Sequence, residues 1–254
     1  LKVRAHLEKV ADLRERIRTA NDATSDSGLR DLWDEAELEL ETVRTLGDVV
    51  VLAFFDGKTA RARETKKHEF ADELLSGKLR PWRGELDRRR ESDPPLAPFH
   101  WEIEFPEVFD RDASGFDCFV GNPPFMGGQL ISGANGVRYF KWLTIHYSPA
   151  AHYCDLVAYF FRRAFALLRP GGTLGLIATS SIAVGDTRNG GLLPILKAGG
   201  EIFRATRRLP WPGRATAIVS ILNILKGHYD GIPEIDGRRC DRISAFLKHL
   251  GPDD

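Results

Sequence analysis

The sequence predicts an α/β chain in which a helical subdomain precedes a sheet, and three observations carry that expectation. Apolar residues recur at helical spacing through roughly the first 80 residues. A proline-rich break follows at Glu91–Pro98. From Phe99 onward short apolar strands alternate with amphipathic or glycine-bounded segments, the pattern of an α/β domain with a largely parallel sheet. With 254 residues, 43% of them hydrophobic, the chain can bury one large core or two small ones, which excludes the disordered and fibrous classes.

The first helix is carried by Val3, Leu7, Val10 and Ile17, and the second by Leu29, Leu32, Trp33, Ala36, Leu40 and Val43. Asp26 or Ser27 is expected to cap the second. Asp48–Phe55 is a short apolar run that either continues this helix or forms a buried strand, a choice periodicity does not make. A third helix is expected from about Thr59 to Leu75, with Gly77 as its stop. Pro94, Pro95 and Pro98 can neither continue a helix nor pair within a central strand, so residues 1–97 are read as a helical insertion.

In the second part, residues 98–229, Phe116–Val120 reads as a strand ending at Gly121. Leu156–Leu168 reads as a helix with Val157, Phe160, Phe161, Ala164 and Leu168 on one face, terminated by Pro170-Gly171-Gly172. Thr173–Thr179 is the next buried strand. Ile202–Arg207 and Thr216–Leu225 are two further strands, and the tight connection through Pro210, Trp211, Pro212 and Gly213 suits an antiparallel pair. Residues 230–254 are expected to connect to a downstream segment. The chain begins at Leu1 rather than methionine, which we read as a piece of a longer polypeptide.

Charge and cysteine usage narrow the classes further. Basic and acidic residues balance at 36 each. Between Asp155 and Lys226, however, ten basic residues face three acidic ones, a stretch suited either to phosphates or to a solvated helix face with structural arginines. Arg204, Arg207, Arg208 and Arg214 are its candidate phosphate contacts. Cys118, Cys154 and Cys240 are widely spaced and form no CxxC pair, and His68, His100, His146 and His152 form no ligand pattern, so no metal site is expected. Ser180-Ser181 lacks the nucleophile-elbow glycines. No apolar run approaches the roughly 20 residues of a membrane span and no signal peptide opens the chain, so the cytoplasm is the expected location.

The chemistry lies in Gly121-Asn122-Pro123-Pro124-Phe125, which follows a strand and so belongs at the carboxyl end of the sheet, where α/β folds bind ligands. The Asn122 side-chain oxygen and the Pro123 carbonyl are two acceptors that can take both hydrogens of one amino group. Held so, the nitrogen lone pair leaves conjugation and points at an electrophile without a strong base. The prolines stiffen the backbone and Phe125 offers a flat face on which an extruded base can stack. Taken alone, the stretch also reads as a rigid turn with a capping asparagine.

This loop resembles the Asn-Pro-Pro-aromatic motif of the amino methyltransferases. The Phe99-His100-Trp101-Glu102-Ile103-Glu104-Phe105-Pro106-Glu107-Val108-Phe109 lead-in, with Asp155–Gly172, Leu174–Ile182 and Trp211–Lys226, resembles the large adenine-specific DNA methylases of the type IIG restriction-modification and phage-defence kind. The resemblance implies part of a Rossmann-like class I methyltransferase sheet, its target-base half. It further implies S-adenosylmethionine as methyl donor, the N6 amino group of a flipped adenine in double-stranded DNA as acceptor, and Asn122, Pro123, Pro124 and Phe125 as the catalytic loop. Trp211 stands where the family places an aromatic residue against the base, although Trp211-Pro212-Gly213 is also an ordinary turn. Asp155, at a helix start, is a candidate cofactor neighbour or simply a cap.

The glycine-rich strand-to-helix loop that would hold the cofactor's methionine part is not found. The cofactor half is therefore expected upstream and a target-recognition domain downstream, in the same polypeptide. Two alternatives remain: the same loop can hold an amino group on RNA or a protein glutamine amide, or a degenerate half can serve as a non-catalytic DNA-binding or assembly module.

Overall fold

The computed structural model describes residues 3–21, 24–75, 80–211 and 218–249. The chain divides into two compact units, Leu1–Arg111 and Asp112–Asp254.

The first unit is helical: α1 (Val3–Arg18), α2 (Asp26–Asp56), α3 (Ala60–Leu75), α4 (Arg80–Arg90), and the single turns α5 (Trp101–Glu104) and α6 (Pro106–Phe109). Ser25, one residue before the expected cap, accepts from the Gly28 amide at the start of α2. The Asp48–Phe55 run continues α2, because Val49, Leu52 and Ala53 fall on one helical face and pack with Phe70 and Leu86. Gly77 lies outside the described residues.

The Phe99–Phe109 lead-in forms α5 and α6 rather than strand, and it lies within the helical unit. Polar side chains hold it there. Arg44 spans Glu104 at 2.7 and 2.6 Å and reaches Glu37 at 2.7 Å. The buried Asp48 carboxylate takes Arg90 at 2.6 Å and His100 at 2.8 Å.

The second unit carries a six-stranded sheet of order β1-β2-β4-β3-β5-β6: β1 (Phe116–Gly121), β2 (Leu168–Thr179), β3 (Gly200–Pro210), β4 (Ile218–Lys226), β5 (Glu234–Ile235) and β6 (Arg238–Arg239). β1–β2 and β3–β5 are parallel, whereas β2–β4, β3–β4 and β5–β6 are antiparallel, so the sheet is mixed. Pro170–Gly172 sits in the irregular stretch where the β1–β2 register jumps, and helix α9 (Leu156–Leu167) has already ended.

Leu174, Leu176 and Ala178 of β2 and Leu222 and Ile224 of β4 share one core with Val157, Phe161 and Phe165 of α9. Phe160, expected on the buried face, is instead 42% exposed, because its rotation about α9 takes it away from the sheet. Between the strands stand α7 (Gly128–Asn135), α8 (Val137–His146), the 3₁₀ turn Ser180–Ala183, α10 (Gly185–Gly190) and α11 (Leu192–Lys197).

Residues 230–249, expected as a connector, add to the sheet. Asp236 and Gly237 both adopt positive φ, the requirement of a tight two-residue hairpin turn, and β5 pairs with β3. Ile235, Ile243, Ala245 and Leu247 enter the core.

Candidate active site

Strand register defines which end of the sheet matters. Gly121 at the end of β1 pairs with Leu176, Thr179 at the end of β2 pairs with Val219, and Val219 pairs with Leu209 near the end of β3. The Asn-Pro-Pro-Phe loop and Trp211, one residue past β3, therefore lie at the same end of the sheet. Their strands stand three spacings apart, about 14 Å, across β2 and β4.

Along the loop exposure alternates. Asn122 and Pro124 are exposed, Pro123 is buried, and Phe125 is half-buried against the core. No described residue donates a hydrogen bond to the Asn122 side chain or to the Pro123 carbonyl. These are the two acceptors that the amino-group chemistry requires.

The loop is otherwise tied down. The Met126 amide donates to Asp155 Oδ1 at 3.2 Å, and the Leu156 amide donates to the Met126 carbonyl at 2.8 Å. Asp155 is buried, caps α9 by accepting from the Val157 amide at 3.0 Å, and donates its own amide to Thr187 Oγ1 at 3.1 Å. A Cβ on Gly128 would stand 2.4 Å from the His152 carbonyl, so only glycine admits this approach of the loop to the segment before α9. The cap itself was legible from an aspartate before an apolar run; its second partner, 29 residues away, was not.

The four candidate arginines separate. Arg204 pairs with Glu234 at 2.9 Å and Arg207 with Asp236 at 2.8 Å, both within the β3–β5 edge. Arg208 is exposed, has φ of 52°, and sits where the β3–β4 register shifts between Thr206 and Leu209, so a bulge turns it out of the ladder at the same end of the sheet as Asn122. Arg214 lies outside the described residues, as do Pro212 and Gly213 of the expected turn.

A cavity of about 840 Å³ lined by Glu201, His228, Tyr229 and Asp230 opens where β3 begins and β4 ends, at the opposite end of the sheet. It is not part of this site. Among the described residues no group of His, Cys, Asp and Glu is arranged to hold a metal ion, and no helix is long and apolar enough to cross a membrane.

A mixed α/β sheet that presents such a loop at a strand end belongs with the methyltransferases in class. The sequence profile of the Eco57I restriction-modification methylase family matches residues 32–190, well over half of the 254, and the chain belongs to that family. No curated protein matches the sequence.

Among solved structures, the type IIL restriction-modification enzyme MmeI, determined in complex with DNA, is similar at 19% identity and a TM-score of 0.47, over 58% of this chain. This chain spans 21% of that enzyme's length. A Listeria monocytogenes protein assigned to the class I S-adenosylmethionine-dependent methyltransferases is similar at 13% identity and a TM-score of 0.36, over 90% of this chain and 83% of its own.

S-adenosylmethionine is the cofactor of such a methylase. Four strands share one sense: β1 leads into the Asn-Pro-Pro-Phe loop, β2 into the Ser180–Ala183 turn, β3 to Trp211, and β5 into the tight Asp236-Gly237 turn. None of these described exits is a glycine-rich turn opening a long helix, so the described residues do not by themselves form a cradle for the cofactor's methionine part.

Proposed function

We propose that this chain is the target-base half of an adenine-N6 DNA methyltransferase within a larger restriction-modification or defence protein. The observation that carries the reading is the pair of acceptors, Asn122 Oδ1 and the Pro123 carbonyl, which no described residue occupies on a loop fixed from both ends.

In this reading a flipped adenine lies at the sheet end with its N6 hydrogens on those two oxygens. Phe125 and Trp211 supply aromatic faces that replace the stacking lost from the duplex. Pro124, with Pro123, keeps the carbonyl from swinging away. The methyl group is supplied by S-adenosylmethionine. Arg208, turned outward by the bulge, is the phosphate contact we favour over Arg204 and Arg207, whose guanidiniums already have carboxylate partners.

We place the cofactor half upstream in the same polypeptide, seated against β1. Among the described residues that strand has one neighbour, β2, and Val120 is 84% exposed. The helical residues 1–97 are then an insertion ahead of the catalytic half, residues 98–229. A target-recognition domain downstream would read base edges in the groove of double-stranded DNA, in the cytoplasm.

Methyl transfer by the full-length protein should be assayed on duplex DNA, RNA and a protein acceptor. Label is expected on adenine N6 of the duplex, and label on RNA or glutamine alone, or none at all, overturns the assignment. Asn122→Ala should lower the methylation rate by about 10²–10³-fold while DNA affinity changes little, and equal loss of both would remove Asn122 from the chemistry.

A further inference from the structure

We infer that Asp155 is a positioning residue, which sets the Asn-Pro-Pro-Phe loop against helix α9 and does so separately from capping that helix; the inference rests on the catalytic role proposed for the loop. An N-cap side chain needs one acceptor for one orphan amide, and Asp155 meets that need through Val157. The same oxygen also takes the Met126 amide, from a different segment of the chain.

Met126 returns a bond in the other direction. Its carbonyl accepts from the Leu156 amide, another helix-terminal donor that would otherwise lack a partner. Both backbone groups of the residue after Phe125 are therefore fastened to the first turn of α9. That helix is a rigid base, since Val157, Ala158 and Phe161 are fully buried beneath the sheet.

The far side of Asp155 is braced as well. Its amide meets Thr187 Oγ1, and the Tyr153 amide meets Asp186 Oδ2 at 3.2 Å, both on α10. A Cβ on Gly190 would come within 2.8 Å of Cys154 Sγ, so the two segments touch closely. Residues 152–156 thus form a wedge between the catalytic loop and α10.

The start of the loop is registered by the Gly121–Leu176 pairing and its end by Met126, with the two amino-group acceptors between. Displacing such acceptors by about 1 Å is enough to lower a rate by about 10²-fold. A side chain engaged with two backbone amides has no need of a cofactor contact to be indispensable.

Three substitutions in the full-length protein separate the roles. Asp155→Asn keeps an acceptor oxygen of the same reach and should retain kcat within about threefold. Asp155→Ser keeps a good helix cap but is too short to reach Met126, so thermal stability should hold while kcat falls by about ten- to a hundredfold, with KM for S-adenosylmethionine little changed. Thr187→Val should lower kcat in the same sense.

Undiminished kcat in Asp155→Ser would reduce Asp155 to a cap and overturn the inference. So would a KM for S-adenosylmethionine that rises in Asp155→Asn, which would make the carboxylate a cofactor contact. Should wild-type protein methylate an acceptor other than adenine, the adenine reading fails, and the same ratios measured on that acceptor still decide the role of Asp155.

Discussion

Asn122 stands in solvent because Pro123 beside it does not. Burying the proline ring turns the asparagine outward, and the half-buried Phe125 divides its ring between the core and the site. Truncating the exposed aromatic surface should therefore weaken handling of the base without unfolding the sheet. Trp211→Ala is expected to cost about 1–3 kcal/mol of base stacking, read as weaker binding of an extruded-base duplex with the fold intact by circular dichroism. Thiol chemistry offers a second check. Cys154 is buried and its thiol is pushed up to about 12 by that burial, so it carries almost no thiolate at neutral pH, whereas Cys118 is exposed. A soluble alkylating reagent should modify Cys118 in the native protein and reach Cys154 only after unfolding, as peptide mass spectrometry would show. At this scale the sequence disclosed the acceptors that Asn122 and Pro123 carry, since donor and acceptor inventories follow from residue type alone. It did not disclose that Arg204 and Arg207 are committed to Glu234 and Asp236, because those partners lie 30 and 29 residues away.

Helix α2 shows what periodicity does and does not convey. Its 31 residues were readable as far as Val43, and the apolar run beyond was ambiguous because a buried helix and a buried strand look alike over eight residues. Packing against Phe70 and Leu86 decided it. The β5–β6 hairpin is illegible for a different reason: two-residue strands carry too little pattern, although Asp236-Gly237 is a turn signal. Polar ties between α2 and the lead-in were also invisible, since sequence spacing cannot reveal which charges meet across 52 or 60 residues. Those ties are testable. Arg90→Ala leaves the buried Asp48 carboxylate with His100 alone and should destabilise the helical unit by about 1–3 kcal/mol, seen as an earlier urea midpoint. At β3 the bulge makes a contrast between neighbours. Arg208→Ala should lower DNA affinity and reduce the salt slope by about one, while Arg204→Ala leaves the slope unchanged. Equal effects of the two would show that the bulge does not single out Arg208.

For the whole molecule, the described residues offer the proposed acceptor loop without a glycine-rich cradle for the donor. If the proposed division holds, calorimetry should show the 254-residue chain binding S-adenosylmethionine only weakly, and tight binding would place the donor site among these residues. The outer edge of β1 has a further consequence when this chain is prepared alone. With one neighbour among the described residues, β1 presents a row of amides and carbonyls to any matching backbone, and Val120 adds an apolar side chain to that row. Two copies related by a two-fold axis can satisfy one another there only in antiparallel sense, unlike the parallel pairing that β1 makes with β2. Sedimentation of the chain should reveal a concentration-dependent dimer that Val120→Pro disperses, the assembly in the tube being two open sheet edges that close on each other.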